Sequence, residues 1–434
     1  MLSAAAFPAA GQPDKGADDS HLETVMVYAR RLTPVSRVAA TVTVIDQARI
    51  ETTLATDIRE LVRYEPGLSV RNDPFRFGLD TISVRGLGGN RVAVEVDGIP
   101  AAGGFAVGSY ADSGRAYVDA AFVDRVEFLR GPASSLYGSD AIGGVVAMTT
   151  LTPESLLARG EGEFAVRTDA GFDSASDGWR AAALAAGAIG GTQWLVGYSR
   201  REGHESDTAA DVTPNPSEYT NDSALMKVTG AVPGGPMTLT AEAGRIQQAT
   251  DVDAFLGVGR FLNTTALAGD DEMLRYRVSL GQALTGANAA FDSADWSAYW
   301  QGTETDQDTY EVRRAVPPRT PPVQLDRTFK FDESTFGIEF TAVKSLGSGS
   351  IVHDVVYGFE ATRSELDELR DGLQTNLTTG ATTPTILGET FPLRDLPLST
   401  VVEVGAFVQD EVQFDDARWT LVPALRVDYS ELTP

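Results

Sequence analysis

Ala406-Phe407-Val408-Gln409-Asp410-Glu411-Val412-Gln413 sets Phe407, Gln409, Glu411 and Gln413 on one face of an extended segment and Ala406, Val408, Asp410 and Val412 on the other. Side chains alternate sides along a β-strand, so the stretch reads as a strand with two unlike faces. The texture recurs upstream and downstream. Strand-like runs fall near 162–172, 179–188, 192–202, 222–232, 237–247, 273–284, 289–303, 329–344, 351–366, 401–414 and 418–430. Runs of about ten or more residues, tilted, cross a hydrocarbon core, whereas strands of soluble proteins average about five or six.

The joints between these runs alternate in length. Short ones include Gly190-Gly191, Val232-Pro233-Gly234-Gly235-Pro236, Thr285-Gly286-Ala287-Asn288, residues 345–350 and Asp415-Asp416. Long ones, near 203–221, 248–272, 304–328 and 367–400, are polar, acidic and proline-bearing. Tight turns on one rim and large loops on the other predict an up-and-down membrane barrel.

Composition removes several classes. The 434 residues hold no cysteine, which excludes disulfides and thiolate metal sites. Lys plus Arg number 35 against 61 Asp plus Glu, a net charge of -26, and nucleic acid as a partner is excluded on that ground. No apolar run approaches the roughly 18 residues of a membrane helix, so membrane residence has to use strands. An enzyme is not expected: HExxH, Walker and GxSxG patterns are missing, as is a cysteine nucleophile.

Ahead of the long strands the chain is built differently. Residues 1–21 read as a flexible leader, and its MLSAAAFPAAGQ opening is either the small-residue end of a secretory signal begun upstream or an ordinary tail. Glu23-Thr24-Val25-Met26-Val27-Tyr28-Ala29 is a β-prone run before Arg30-Arg31. From about 38 to 150 short pieces alternate: strands at 41–45, 81–84, 91–96 and 125–129 and a helix over 56–64, stopped by Pro66-Gly67. In the third strand Val92, Val94 and Val96 alternate with Arg91, Ala93 and Glu95, the pattern of a half-buried strand closed by Asp97-Gly98. Gly86-Leu87-Gly88-Gly89 and residues 101–104 are glycine-rich connections of the kind that carries function.

Five segments in order now stand together. Glu23 to Ala29 is similar to a TonB box, and Ile82-Ser83-Val84-Arg85-Gly86, Val96-Asp97-Gly98, Val126-Glu127-Phe128-Leu129-Arg130-Gly131-Pro132 and Leu136-Tyr137-Gly138 through Gly143-Gly144-Val145-Val146 resemble the plug of TonB-dependent outer-membrane receptors. The resemblance implies an α+β plug domain followed by an all-β transmembrane antiparallel β-barrel, of about 22 strands in the family. About 11 of those strands are counted here, the remainder being expected after residue 434. It divides the chain into a leader with the TonB-box segment (1–37), a plug (38–153) and a partial barrel with long extracellular loops (154–434). Asn72-Asp73-Pro74-Phe75-Arg76-Phe77-Gly78, Arg85 to Ala93, Tyr357-Gly358-Phe359-Glu360 and Arg370-Asp371-Gly372 resemble the haem and haemoprotein branch.

The resemblance also implies roles. Glu23, Thr24, Val25, Met26, Val27 and Tyr28 would bind the inner-membrane TonB energy transducer by strand addition. Arg85 and Arg130, with Glu127, would lock the plug to carboxylates of the wall. Phe75, Arg76, Phe77, Leu87, Gly88, Gly89, Asn90, Arg91, Phe105 and Tyr110 would form the substrate floor, where aromatic rings suit a flat ligand. No permanent cofactor is expected, haem being cargo. Of His21, His204 and His353, only His204, at the mouth of the first long loop, is placed to ligate its iron, with Tyr110, Tyr117 or Tyr219 as substitutes. The expected function is import of haem, free or from haemoproteins, across the outer membrane of a Gram-negative bacterium, with outer-membrane lipid around the wall. A ferric-siderophore or cobalamin importer is the near alternative, and a passive porin-like or adhesin barrel the alternative of another class.

Overall fold

The computed structural model describes residues 40–55, 57–70, 82–108, 118–160, 162–206, 214–286, 288–317, 320–348, 351–414 and 419–434, with Arg30. For 24–25, 33–34, 106–108, 111–112 and 348 only the backbone is described.

The first domain is mixed. Strand β1 (Thr41–Asp46) runs into helix α1 (Gln47–Thr53), whose N-cap Asp46 accepts from the Arg49 amide at 2.8 Å. Helix α2 (Ile58–Val62) is capped by Asp57, which takes the Glu60 amide at 2.9 Å. Such caps satisfy amides that the first helical turn leaves without a partner. Strands β2 (Leu68–Val70) and β3 (Ile82–Val84) pair with each other. The central sheet adds β4 (Val92–Val96), β5 (Ile99–Pro100), β6 (Val123–Arg130) and β7 (Gly144–Thr150) in the order β1-β6-β7-β4-β5, with β7 and β4 parallel. Helix α3 (Ser134–Tyr137) lies between β6 and β7, and α4 (Pro153–Leu157) follows β7.

The sheet is covered twice. On one side Val94, Val126, Phe128, Val146 and Met148 pack with Ile58, Leu61 and Val62 of α2. On the other, Ala93, Leu129, Val145, Leu136 and Tyr137 pack with Val356 and Phe407, which belong to the long strands that follow. This corrects the expectation of a half-buried Val92–Val96 strand: all five of its residues are buried, because its second face meets protein. Glu95, on that second face, is therefore a buried carboxyl.

Among the described residues the remainder is a wall, one antiparallel sheet in which two short strands, Thr382–Thr383 and Trp419–Leu421, are added to eleven long ones, each of these paired to its sequence neighbour. They are β8 (Phe164–Asp173), β9 (Gly178–Ile189), β10 (Thr192–His204), β11 (Ser217–Val232), β12 (Gly235–Asp251), β13 (Thr264–Thr285), β14 (Ser293–Arg313), β15 (Val323–Ser348), β16 (Ile351–Asn376), β17 (Ser399–Phe414) and β18 (Ala424–Thr433). Several run further into the expected long loops than the sequence implied, β15 and β16 reaching 26 residues each. The extra residues are polar and acidic and read as loop, yet they keep the ladder, since backbone pairing is indifferent to side-chain polarity once both faces meet water.

Register assigns the two faces. Lys227, Glu242, Arg277, Gln301, Glu339, Glu360 and Gln409 share the face turned to the mixed domain. The opposite face carries Met226, Leu239, Val278, Leu280, Trp300, Ile338, Phe359 and Val408, all exposed. A continuous exposed apolar band of this kind matches the lipid-facing belt of a membrane barrel. No helix among the described residues is long and apolar enough to cross a membrane. Leu280→Arg, near the middle of that belt, should cost about 2–4 kcal/mol of stability in a bilayer, read as the shift in urea midpoint in liposomes.

Candidate functional site

Two buried charge clusters join the mixed domain to the wall. The first is built on a turn. Asp97 and Gly98 both have positive φ, 53° and 80°, the geometry of a tight hairpin between β4 and β5, where glycine costs nothing and aspartate is tolerated. The turn aims the Asp97 carboxylate past the sheet edge. It accepts from the amide and hydroxyl of Thr150 at 2.8 and 2.7 Å. Lys227 Nζ of β11 and Arg277 Nη2 of β13 reach it from the wall at 3.2 and 3.1 Å.

Arg277 is fully buried, donates to the Val96 carbonyl and pairs with Glu242, which Arg275 also holds at 2.8 Å. Burial works to raise the Asp97 pKa, but Lys227, Arg277 and the Thr150 hydrogen bonds outweigh it and hold the carboxyl at about 2. Neighbouring wall groups add to the grip. Arg201 meets Asp119 at 3.2 Å, Arg180 donates to the Leu54 carbonyl at 3.2 Å, and Gln301 donates to the Pro100 carbonyl at 2.8 Å.

The second cluster is centred on Arg30, which follows the segment Glu23 to Ala29. Its guanidinium lies 3.1 Å from Glu95 of β4, 4.0 Å from Glu339 of β15 and 3.9 Å from Glu360 of β16. It also lies over the rings of Tyr137 and Phe407, 4.4 and 5.3 Å from their centroids. Arg426 of β18 donates to Glu360 and to the Leu136 carbonyl. Arg30 thus bridges the mixed domain and the wall, a cation over aromatic faces and among carboxylates.

Residues 34–145 match the TonB-dependent receptor plug domain, and residues 207–434 match the TonB-dependent receptor-like β-barrel. The chain belongs to the TonB-dependent receptor family. Members of this family are outer-membrane β-barrel proteins of Gram-negative bacteria.

Among relatives, a vitamin B12 transporter, BtuB, of Vibrio vulnificus (strain CMCP6) is 34% identical over 137 residues, 31% of this chain and 21% of the relative. Transferrin-binding protein A of Haemophilus influenzae is 28% identical over 218 residues, 46% of this chain and 23% of the relative. Of solved structures, the pyoverdine receptor FpvA of Pseudomonas aeruginosa PAO1 superposes with a TM-score of 0.64 at 16% identity, covering 95% of this chain and 61% of that one. The ferric-catecholate import receptor Fiu of E. coli K12 gives 0.61 at 17%, covering 92% and 61%. These structural likenesses show the fold alone, and the chain spans less than two thirds of each of these four proteins. The haem branch suggested by the sequence is not singled out by these matches.

In this TonB-dependent receptor the expected lock residues sit elsewhere than expected. Arg130 pairs with Glu65 at 3.1 Å inside the plug, where Glu65 also holds Arg49 at 2.6 Å. Arg85, at φ 51°, is exposed and donates to the Thr41 hydroxyl at 3.4 Å. Glu127 pairs with Arg125 of its own strand at 3.2 Å. The described contacts of these three therefore tie the plug to itself, and among the described residues the ion pairs to the wall run through Asp97, Asp119, Arg30 and Glu51, the last 3.7 Å from Arg167 of β8. Asp97 lay within a quoted motif, and its turn geometry was the available signal; Lys227 and Arg277 carried none beyond inward parity in a strand.

Of the expected floor, Phe75, Arg76, Phe77 and Tyr110 lie outside the described residues. Asn90 donates to the Gly104 carbonyl at 3.4 Å, joining the two glycine-rich connections, and Arg91 donates to the Gly88 carbonyl at 3.1 Å. Leu87 and Gly89 belong to the same connection. Phe105 stacks on Phe331 of β15, centroids 5.0 Å apart, beside Phe329. In the TonB-box segment, Thr24 and Val25 pair with Pro34 and Thr33; Glu23, Met26, Val27 and Tyr28 lie outside the described residues.

His204, at the end of β10, lines a cavity of about 600 Å³ together with Glu218, Asp251, Asp270, Asp308 and Asp326. By strand alternation it shares the face of Tyr198 and Arg200, turned away from the plug-facing Arg201. Among the described residues no group of three or more His, Asp or Glu is arranged to hold a metal.

Replacing Asp97 by Asn should leave Lys227 and Arg277 buried against a neutral amide. A loss of about 3–5 kcal/mol in plug docking is expected, seen as proteolysis of the plug at lower urea than in the parent. Because the carboxyl titrates near 2, below its ordinary range, the parent's docking should hold from neutral pH down to about 4 and weaken between 4 and 2.

Proposed function

We propose that this protein is an energised outer-membrane importer of a scarce metal chelate, with Glu23 to Tyr28 as the strand gripped by TonB and Arg30 as the residue that holds that strand until it is needed. The Arg30 cluster carries this reading. A buried arginine tied to both plug and wall, a few positions after the paired Thr24 and Val25, gives a mechanical partner one place to pull. The wall supplies the matching constraint, since a barrel of about 22 strands is a wide hole unless stoppered. Strand addition suits the grip because it relies on backbone hydrogen bonds and tolerates varied side chains.

The cargo class follows from two kinds of support. The names of the relatives and structural neighbours, a vitamin B12 transporter, a pyoverdine receptor and a ferric-catecholate receptor, favour a ferric siderophore or a cobalamin. Haem is the second reading. It is favoured by Phe105, half-buried beside the glycine-rich connections and backed by the buried rings of Phe329 and Phe331, since an aromatic ring suits a flat ligand. His204 does not strengthen it, because the carboxylates around its cavity would repel the propionates of a haem.

Deleting residues 23–28 should abolish energised uptake while leaving cargo binding at the cell surface intact. A passive porin or an adhesin would keep its transport in that deletion. Arg30→Ala should let a TonB fragment bind without cargo, at several-fold higher occupancy than the parent in a pull-down. Uptake of labelled haem, ferric siderophore and cobalamin by cells bearing the complete receptor separates the cargo readings, and growth on haem alone is required for the second.

A further inference from the structure

The cluster around Arg30 contains more acids than bases. Glu95, Glu339 and Glu360 face one guanidinium, and their side chains are 9, 10 and 21% exposed. Arg426 neutralises only part of the excess, being shared between Glu360 and Asp428. Arg277, the next cation along the wall, is engaged by Asp97 and Glu242, and Arg125 by Glu127. Tyr137 of α3, Tyr299 of β14 and Glu403 of β17 complete the surroundings and bring no positive charge.

A buried site cannot hold several bare carboxylates against so few cations, because desolvation and mutual repulsion both favour the neutral acid. Two observations agree. One oxygen of Glu339, Oε1, is buried without a hydrogen-bond partner, where an acid proton can sit. Burial lifts the Glu95 carboxyl to about 7, even with Arg30 beside it working to lower it.

We infer that Arg30 and protons compete for these carboxyls, so that withdrawal of the N-terminal segment is coupled to proton uptake from water and the hold loosens as the medium becomes more acidic. The charge balances: one guanidinium leaves the nest, one proton from solvent adds to a carboxylate oxygen, and the net charge is unchanged. This rests on the reading that Arg30 restrains the segment for TonB. With Arg30 in place Glu95 titrates near 7; with Arg30 gone it titrates higher, because the guanidinium was lowering it. Between those two values the released state carries more protons, so the held fraction rises with pH from about 7 upward and levels off below.

The 434 residues hold no cysteine, so with any cysteine outside them replaced, Thr24→Cys places a single spin label on the segment. The labelled full-length receptor in liposomes is followed by electron paramagnetic resonance from pH 6 to 9. The ratio of held to mobile label should rise with pH above 7, by up to about tenfold per pH unit for each proton exchanged. A ratio that stays constant, or that falls as pH rises, overturns the linkage. Glu95→Gln, or Glu339→Gln if the first does not fold, should flatten the dependence, and an undiminished slope in the folded variant also overturns it. Arg30→Gln separates the two claims. A label still held in that variant sinks the restraint itself, whereas a label freed there beside a pH-insensitive parent sinks only the coupling.

Discussion

A carboxylate taken out of water survives only if every direction it faces is answered, and Asp97 is answered by Thr150 from its own domain and by Lys227 and Arg277 from the wall. Removing either side leaves an uncompensated charge in a dry place, so the sheet edge and strands β11 to β13 hold one registration with respect to each other. Apolar packing alone would tolerate sliding. The pairs at Asp119 and the carbonyl contacts at Leu54 and Pro100 then extend a placement that Asp97 has already defined.

The interface is electrically asymmetric. Along β9 to β13 the wall offers guanidinium and ammonium groups to plug acids and carbonyls. Along β15 and β16 it offers Glu339 and Glu360, and the matching cation arrives on the N-terminal segment. One sector is therefore held by side chains of folded strands, while in the other the cation between plug and wall is Arg30, outside both. On the proposed function the difference has a mechanical meaning, because a pull on the N-terminal segment would act on the second sector first and leave the first in place.

Much of this architecture could be read from residue order. All eleven wall strands were visible in alternation, since a strand with water or protein on one side and lipid on the other must separate its residue types every second position. Their outer ends were not visible, because above the lipid the two faces no longer differ and a polar strand reads as loop. Val92 to Val96 was read as half-buried because Glu95 looked like a solvent-facing residue; its partner Arg30 lies 65 positions away, and separations of that size leave no local trace. Arg130 was sent to the wall for a similar reason, since nothing near it in sequence announces Glu65.

The ring of Phe407 lies across Gly358 on the neighbouring strand, its edge 2.8 Å from where a methyl group would stand. That bare saddle lets the ring lean inward far enough to offer its π face to Arg30. The seat of the Arg30 guanidinium thus depends on a position inside the wall with no charge and no side chain. A side chain at Gly358 would collide with the Phe340 carbonyl oxygen as well as with the ring, so the position is closed to every residue but glycine, and the cation's aromatic seat rests on that vacancy.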